Sequence, residues 1–166
     1  MPTLESAAAS TTPTIMLEQT RVIRAPRARV YEAWTNPEIL KRWFGPANMH
    51  CPDATLDLHV GGRYRIDIVP DSAPPAAQSG PECAEGRSAA IGSYTKVVPN
   101  ELLQFTWSPD WNLGEESLVT VSLKDVPQGT ELTIRHERFN TEASRDGHNN
   151  GWAGSFDKLA ELLERP

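Results

Sequence analysis

Residues 141–164 read TEASRDGHNNGWAGSFDKLAELLE, the one stretch long and periodic enough for a helix of several turns. Trp152, Phe156, Leu159 and Leu163 recur at helical spacing and fall on one face, while Asp157, Lys158, Glu161 and Glu164 fall on the other, toward water. Thr141 suits the N-cap, and Glu142 stands in the first turn, where the helix dipole favours an acid. Gly147, Gly151 and Gly154 oppose the local propensity, each costing about 1 kcal/mol against Ala in a helix interior. Close backbone approach to a sheet, or room beside a ring as large as Trp152, would account for them.

Working outward, the preceding sequence reads as a sheet that grips this helix. Ile15 to Ala25 (IMLEQTRVIRA) has the β-branched, alternating character of a first strand. Pro26 suits a helix start, and Val30, Ala33 and Trp34 form a short apolar face. Asn36-Pro37 ends that helix and starts a second, carrying Leu40, Trp43 and Phe44 and closed by Gly45-Pro46. Strands follow at Ala54–Leu58, at Tyr64, Ile66 and Ile68, and at Ser88–Val98, Leu102–Ser108, Ser117–Val126 and Thr130–Arg138. Gly61-Gly62, Pro99-Asn100 and Pro127-Gln128-Gly129 supply the turns. Tight turns between consecutive strands imply an antiparallel meander with one amphipathic helix on its open face, an α+β arrangement of about seven strands.

The 166 residues make one ordinary domain, expected over residues 15–165 after a disordered tail at 1–14. A net charge of −6 with scattered Lys and Arg argues against nucleic acid as a partner. There is no apolar run of about 18 residues for a membrane span and no signal-peptide pattern at the N-terminus. Cys51 and Cys83 lack CxxC spacing, and free thiols in a reduced, cytoplasmic setting fit them, with a Cys51–Cys83 disulfide as the alternative. Residues 70–87, PDSAPPAAQSGPECAEGR, form a long Pro- and Ala-rich hairpin loop, either a flexible surface insertion or a lid at a cavity mouth.

Together these segments resemble the helix-grip, or START-like, fold of the SRPBCC superfamily, and within it the group named for the activator homologue of the heat-shock-protein-90 ATPase. The resemblance rests on Trp43-Phe44-Gly45-Pro46, Gly61-Gly62-Arg63-Tyr64, Gly92-Ser93-Tyr94, LLQFTW at 102–107, Val119-Thr120-Val121, GTELTI at 129–134, and Gly151-Trp152 with Leu159. It covers about residues 15–164, all but the tail. It implies an apolar cavity between the long helix and a curved sheet. Related domains bind lipids, hormones or polyketides, and a few catalyse cyclisation or dehydration. The eukaryotic activator uses such a domain beside another to engage its chaperone, and the lack of a second domain here weighs against that role.

Trp43, Phe44, Tyr64, Tyr94, Phe105, Trp107, Trp111, Trp152 and Phe156 supply the rings for a small-molecule pocket, or else merely fill the core. His148 shares a helix face with Trp152, and His136 ends the last strand beside the wet residues Arg135, Glu137 and Arg138. Either imidazole is a candidate proton-transfer group, although neither has an acidic orienter at a telling spacing. His50, His59, His136 and His148 are too dispersed for a metal site, and no HExxH, GxSxG or phosphate-binding loop appears, so no cofactor is expected. The expected function is binding of a hydrophobic or amphipathic small molecule, with Ser155, one turn from Trp152, on the pocket wall. A cyclase- or hydrolase-like enzyme in the same cavity is one alternative. An interaction module, working as a homodimer or on a chaperone, is another.

Overall fold

The computed structural model describes residues 15–46, 48–71, 88–110 and 114–164. The expected tail, most of the long hairpin loop, Cys83 and Trp111 lie outside the described residues.

The chain runs β1 (Met16–Ile23), α1 (Arg27–Thr35), α2 (Pro37–Leu40), β2 (Met49–His50), β3 (Ala54–Leu56) and β4 (Arg63–Pro70). It continues through β5 (Ser88–Val98), β6 (Leu102–Pro109), β7 (Ser117–Val126) and β8 (Gly129–Glu137), and ends in α3 (Glu142–Glu164). All strands join one curved antiparallel sheet in the order β1-β8-β7-β6-β5-β4-β2, with β3 also paired to β4. This is the helix-grip, α+β architecture anticipated from the sequence, down to the two short helices after the first strand.

Alternation sets which residues face the helix. Along β6, Leu103, Phe105 and Trp107 are buried while Leu102, Gln104 and Thr106 are half-buried on the other face. Register β1 to β8 places Leu17 opposite His136 and Ile23 opposite Thr130. The β5–β6 pairing shifts register between Tyr94 and Lys96, an irregularity of the kind that bends a strand and increases sheet curvature. Gly92 permits a close approach, since a Cβ there would lie 2.0 Å from the Thr106 carbonyl oxygen and 2.8 Å from the Tyr64 ring. Tyr64, on the neighbouring strand, donates its hydroxyl to that same carbonyl at 2.5 Å.

The helix is held at both ends and along its length. Thr141 caps it by accepting from the Ser144 N–H at 3.1 Å, as its residue type implies. The Arg29 guanidinium donates to the Leu163 carbonyl at 2.9 Å, satisfying a C-terminal acceptor. Between them, the Gln19 amide nitrogen reaches the Asn149 carbonyl at 2.7 Å, and Arg21 pairs with Asp157. Trp152, Phe156, Leu159 and Leu163 are buried against the sheet, together with Ser155.

Three local readings change. The second helix stops at Leu40, so Trp43 and Phe44 sit in hydrogen-bonded turns after it, with both backbone N–H groups donating to the Leu40 carbonyl. The strand expected over Ala54–Leu58 ends at Leu56, and Met49–His50 forms an additional short strand. Lys158 does not simply face water: it is half-buried and donates to the carbonyls of Pro46 at 3.1 Å and Met49 at 2.7 Å. Its four-carbon stem lets the ammonium reach back over the helix to the carbonyls just before and at the start of β2.

Candidate functional site

A cavity of about 420 Å³ lies between α3 and the sheet. Its helical wall carries Ala143, Ser144, Gly147, His148, Gly151, Trp152 and Ser155. Facing them are Phe44, Gly45 and Pro46 from the loop after α2, Met49 at the start of β2, Ile68 on β4, Ser88 at the start of β5 and Trp107 on β6. The glycines make this space. A Cβ on Gly147 would meet nothing within 4 Å, and one on Gly151 would only touch Pro46 at 3.5 Å. Ala143 and Gly147 are exposed whereas Trp152 and Ser155 are buried, so the cavity deepens along the helix toward Ser155. At 1.5 Å per residue, that wall is about 18 Å long. The lining is almost wholly apolar or neutral, and Lys158 holds the Pro46–Met49 side of it from outside.

Two tryptophans of this wall are oriented by two histidines behind and beside them. The Trp152 indole N–H donates to Nδ1 of His136 at 3.1 Å, and Nε2 of His136 lies 2.7 Å from the Ser117 Oγ. An indole nitrogen only donates, so Nδ1 of His136 is the lone-pair nitrogen and the neutral ring carries its hydrogen on Nε2. Ser117 then accepts from His136 and passes its own hydrogen to the Trp107 carbonyl at 3.3 Å. The Trp107 indole N–H donates to Nε2 of His148 at 3.1 Å, while Nδ1 of His148 donates to the Ser144 carbonyl at 2.8 Å. The two imidazoles therefore adopt opposite tautomers, with ring centroids 5.1 Å apart.

Both are held neutral. Burial pushes the His136 pKa well below its usual value, and nearby His148 adds to that. Burial also lowers His148, against the opposing influence of the Ser144 carbonyl and the Glu115 carboxylate. Glu115, 1% exposed, accepts from the Asn140 N–H at 2.6 Å and the Ser144 hydroxyl at 2.8 Å, which ties it to the start of α3.

The sequence-selected residues divide between the cavity and the core. Phe44, Trp107, His148 and Trp152 line the cavity. His136 stands one hydrogen bond behind Trp152. Trp43, Tyr64, Tyr94, Phe105 and Phe156 are buried but do not line it. They form the packed ring cluster beneath: Tyr64 and Phe105 have centroids 5.4 Å apart, and Trp43 meets Trp34 edge-on at 4.9 Å. Sequence reasoning did not select Met49, Ile68, Ser88 or the Gly147–Gly151 wall as lining, although the glycines' poor helix propensity was the available signal. Cys51 is a buried free thiol that donates to the Asp53 carbonyl at 3.2 Å, and burial pushes its pKa up to about 11. Among the described residues no group of three or more His, Cys, Asp and Glu side chains could hold a metal ion. No helix among them is long and apolar enough to cross a membrane.

The fold and the cavity define a helix-grip protein of the SRPBCC type. The profile of the family described as "Activator of Hsp90 ATPase homolog 1-like protein" matches residues 24–164, and the chain belongs to that family. A crystal structure of a protein from Chromobacterium violaceum is 26% identical and superposes with a TM-score of 0.75, covering 93% of this chain and 100% of that one. A Rhizobium leguminosarum protein is also 26% identical, with a TM-score of 0.71 over 93% of this chain and 97% of its own. A family protein from Silicibacter pomeroyi shares the fold at 23% identity and a TM-score of 0.72, over 89% and 96% of the two chains. A search of curated proteins finds no significant match.

Proposed function

We propose that this protein binds a hydrophobic or amphipathic small molecule in the cavity between α3 and the curved sheet. The observation that carries this reading is the cavity itself: about 420 Å³, within the roughly 300–1,000 Å³ range of small-molecule sites. Two helical glycines keep its wall bare at a cost in helix propensity. Membership of a family whose wider superfamily commonly binds apolar ligands supports it. The working unit is the single domain expected over residues 15–165, and a free buried thiol at Cys51 fits the cytoplasmic setting expected for it.

The enzymatic alternative draws little from the geometry. A general base needs a lone pair directed at substrate, and the acceptor nitrogens of both His136 and His148 already receive an indole hydrogen. The interaction alternative, a homodimer or a chaperone partner, rests on the family description. Among the described residues the exposed large apolar side chains, Val22, Leu58, Val60 and Val98, fall on three separate segments of the chain. Native mass spectrometry of the purified protein, followed by denaturation and identification of any released molecule, tests the binding reading. A retained apolar molecule that is absent from a cavity-filled Gly147→Phe variant is the expected result. Equal retention in both would overturn the placement.

A further inference from the structure

We infer that Ser155 is the polar anchor of the cavity and that the ligand is an uncharged, largely apolar molecule whose one carbonyl or hydroxyl meets that hydroxyl. This deepens the binding reading above and rests on it.

Most polar side-chain groups in and behind the cavity wall are already used. His136 and His148 have both ring nitrogens engaged. The indole nitrogens of Trp107 and Trp152 spend their hydrogens on those histidines, and the Ser144 hydroxyl donates to Glu115. Ser155 differs. It is only 3% exposed, it lines the cavity, and its Oγ has no hydrogen-bond partner among the described residues. Nor is that oxygen among the sealed, unsatisfied atoms of the interior, which are Arg21 Nη1, Tyr31 Oη and Trp34 Nε1. The Ser155 hydroxyl therefore opens onto the cavity, at its deep end. A buried hydroxyl with no partner is costly to desolvate, so an occupant that hydrogen-bonds to it recovers that loss.

Charge narrows the class. No Asp, Glu, Lys or Arg is among the described residues lining the cavity. Lys158, one turn from Ser155 on the same helix, is committed to the carbonyls of Pro46 and Met49, and Arg145 to Asp146 and the Met16 carbonyl. A carboxylate placed here would lose its hydration and find no cation, which disfavours fatty acids and other organic anions. The ring faces of Phe44, Trp107 and Trp152 favour a flat or cyclic skeleton.

Three probes on one skeleton separate the possibilities: 2-acetylnaphthalene, its hydrocarbon isostere 2-isopropylnaphthalene, and 2-naphthoate. Their dissociation constants are read from the indole N–H signals of Trp107 and Trp152 in NMR titrations. The ketone is expected to bind about threefold to tenfold more tightly than the hydrocarbon, and the carboxylate most weakly. Ser155→Ala should abolish the ketone's advantage while leaving hydrocarbon affinity within twofold. If Ser155→Ala weakens ketone and hydrocarbon alike, or if naphthoate binds best, the anchor assignment is overturned while the cavity stands. If none of the three binds at millimolar concentration, or if Gly147→Phe leaves their binding intact, the cavity reading itself is overturned and the anchor with it.

Discussion

Trp152 on α3 donates its indole hydrogen to Nδ1 of His136 on β8, and this 3.1 Å bond locks the helix to the last strand at the back of the cavity. Because the donor is obligatory, the bond exists only while His136 is neutral. Stability must then depend on pH in a definite direction. The unfolded imidazole titrates near pH 6.5, whereas burial lowers the folded one. Below about pH 6.5 the unfolded chain takes up a proton that the folded chain refuses. The stabilisation is therefore complete above pH 6.5 and is lost as pH falls from there through the depressed folded pKa. The slope approaches about 1.4 kcal/mol per pH unit for this residue. Urea denaturation at pH 7.5 and 5.5 should give a smaller difference for His136→Asn than for wild type. Equal differences would show that His136 is not held neutral.

Gly147 sits on the helix with open space where a Cβ would go. Gly147→Ala should raise stability by about 1 kcal/mol, since Ala has the better helix propensity and nothing need move. Chemical denaturation measures it. Gly147→Phe should remain folded but block the cavity, and loss of the fold instead would mean that the wall is less open than described.

Ser155 allows a harsher version of that experiment. It is buried deep in the cavity, so Ser155→Phe should remove ligand binding and cost about 1–3 kcal/mol through overpacking. Calorimetry with a bound apolar probe gives both numbers, and unchanged affinity would count against the pocket placement.

Lys158 holds the Pro46–Met49 loop through two carbonyls. Lys158→Met keeps the apolar stem but removes the ammonium donor from both carbonyls, of which Pro46 keeps the Met49 N–H at 2.9 Å. The expected cost is about 1 kcal/mol of stability, discounted for partial exposure, with faster amide hydrogen exchange confined to residues near 46–50. Uniform exchange rates in the variant and wild type would show that the loop does not depend on the clip.

Gly92 tests the sheet rather than the cavity. A methyl group there would overlap the Thr106 carbonyl, a backbone atom that cannot swing aside. Gly92→Ala should therefore destabilise by about 2–4 kcal/mol, or fail to fold, and a thermal melt distinguishes either outcome from a neutral change.

The apolar spacing of Trp152, Phe156, Leu159 and Leu163 was enough to place α3 and its buried face, because helix periodicity is a local property of the chain. Turn residues and alternation placed most strands for the same reason. The sequence places Trp43 and Phe44 in a helix that in fact stops before them, since hydrogen-bonded turns and a short helix share the same local residue preferences. The aromatic residues were the weakest guide to the site. Tyr64, Tyr94 and Phe105 have the same composition signal as Trp107 and Trp152, yet the packing of α3 and the α2–β2 segment over the sheet leaves the first three in packed core and the other two on the cavity wall.

By itself, then, the sequence determined the order of elements, the antiparallel meander, the helix that covers it and the family to which the chain belongs. The elements follow from residue types acting on their near neighbours along the chain, and the family from the resemblance that its ordered motifs carry. Only the tertiary structure decided that Lys158 reaches back to two loop carbonyls and that Gly147 and Gly151 leave space. It alone joined His136 and His148, from different elements, to Trp152 and Trp107. Those relationships depend on sheet curvature and on how far each side chain reaches across it, quantities that no local spacing encodes.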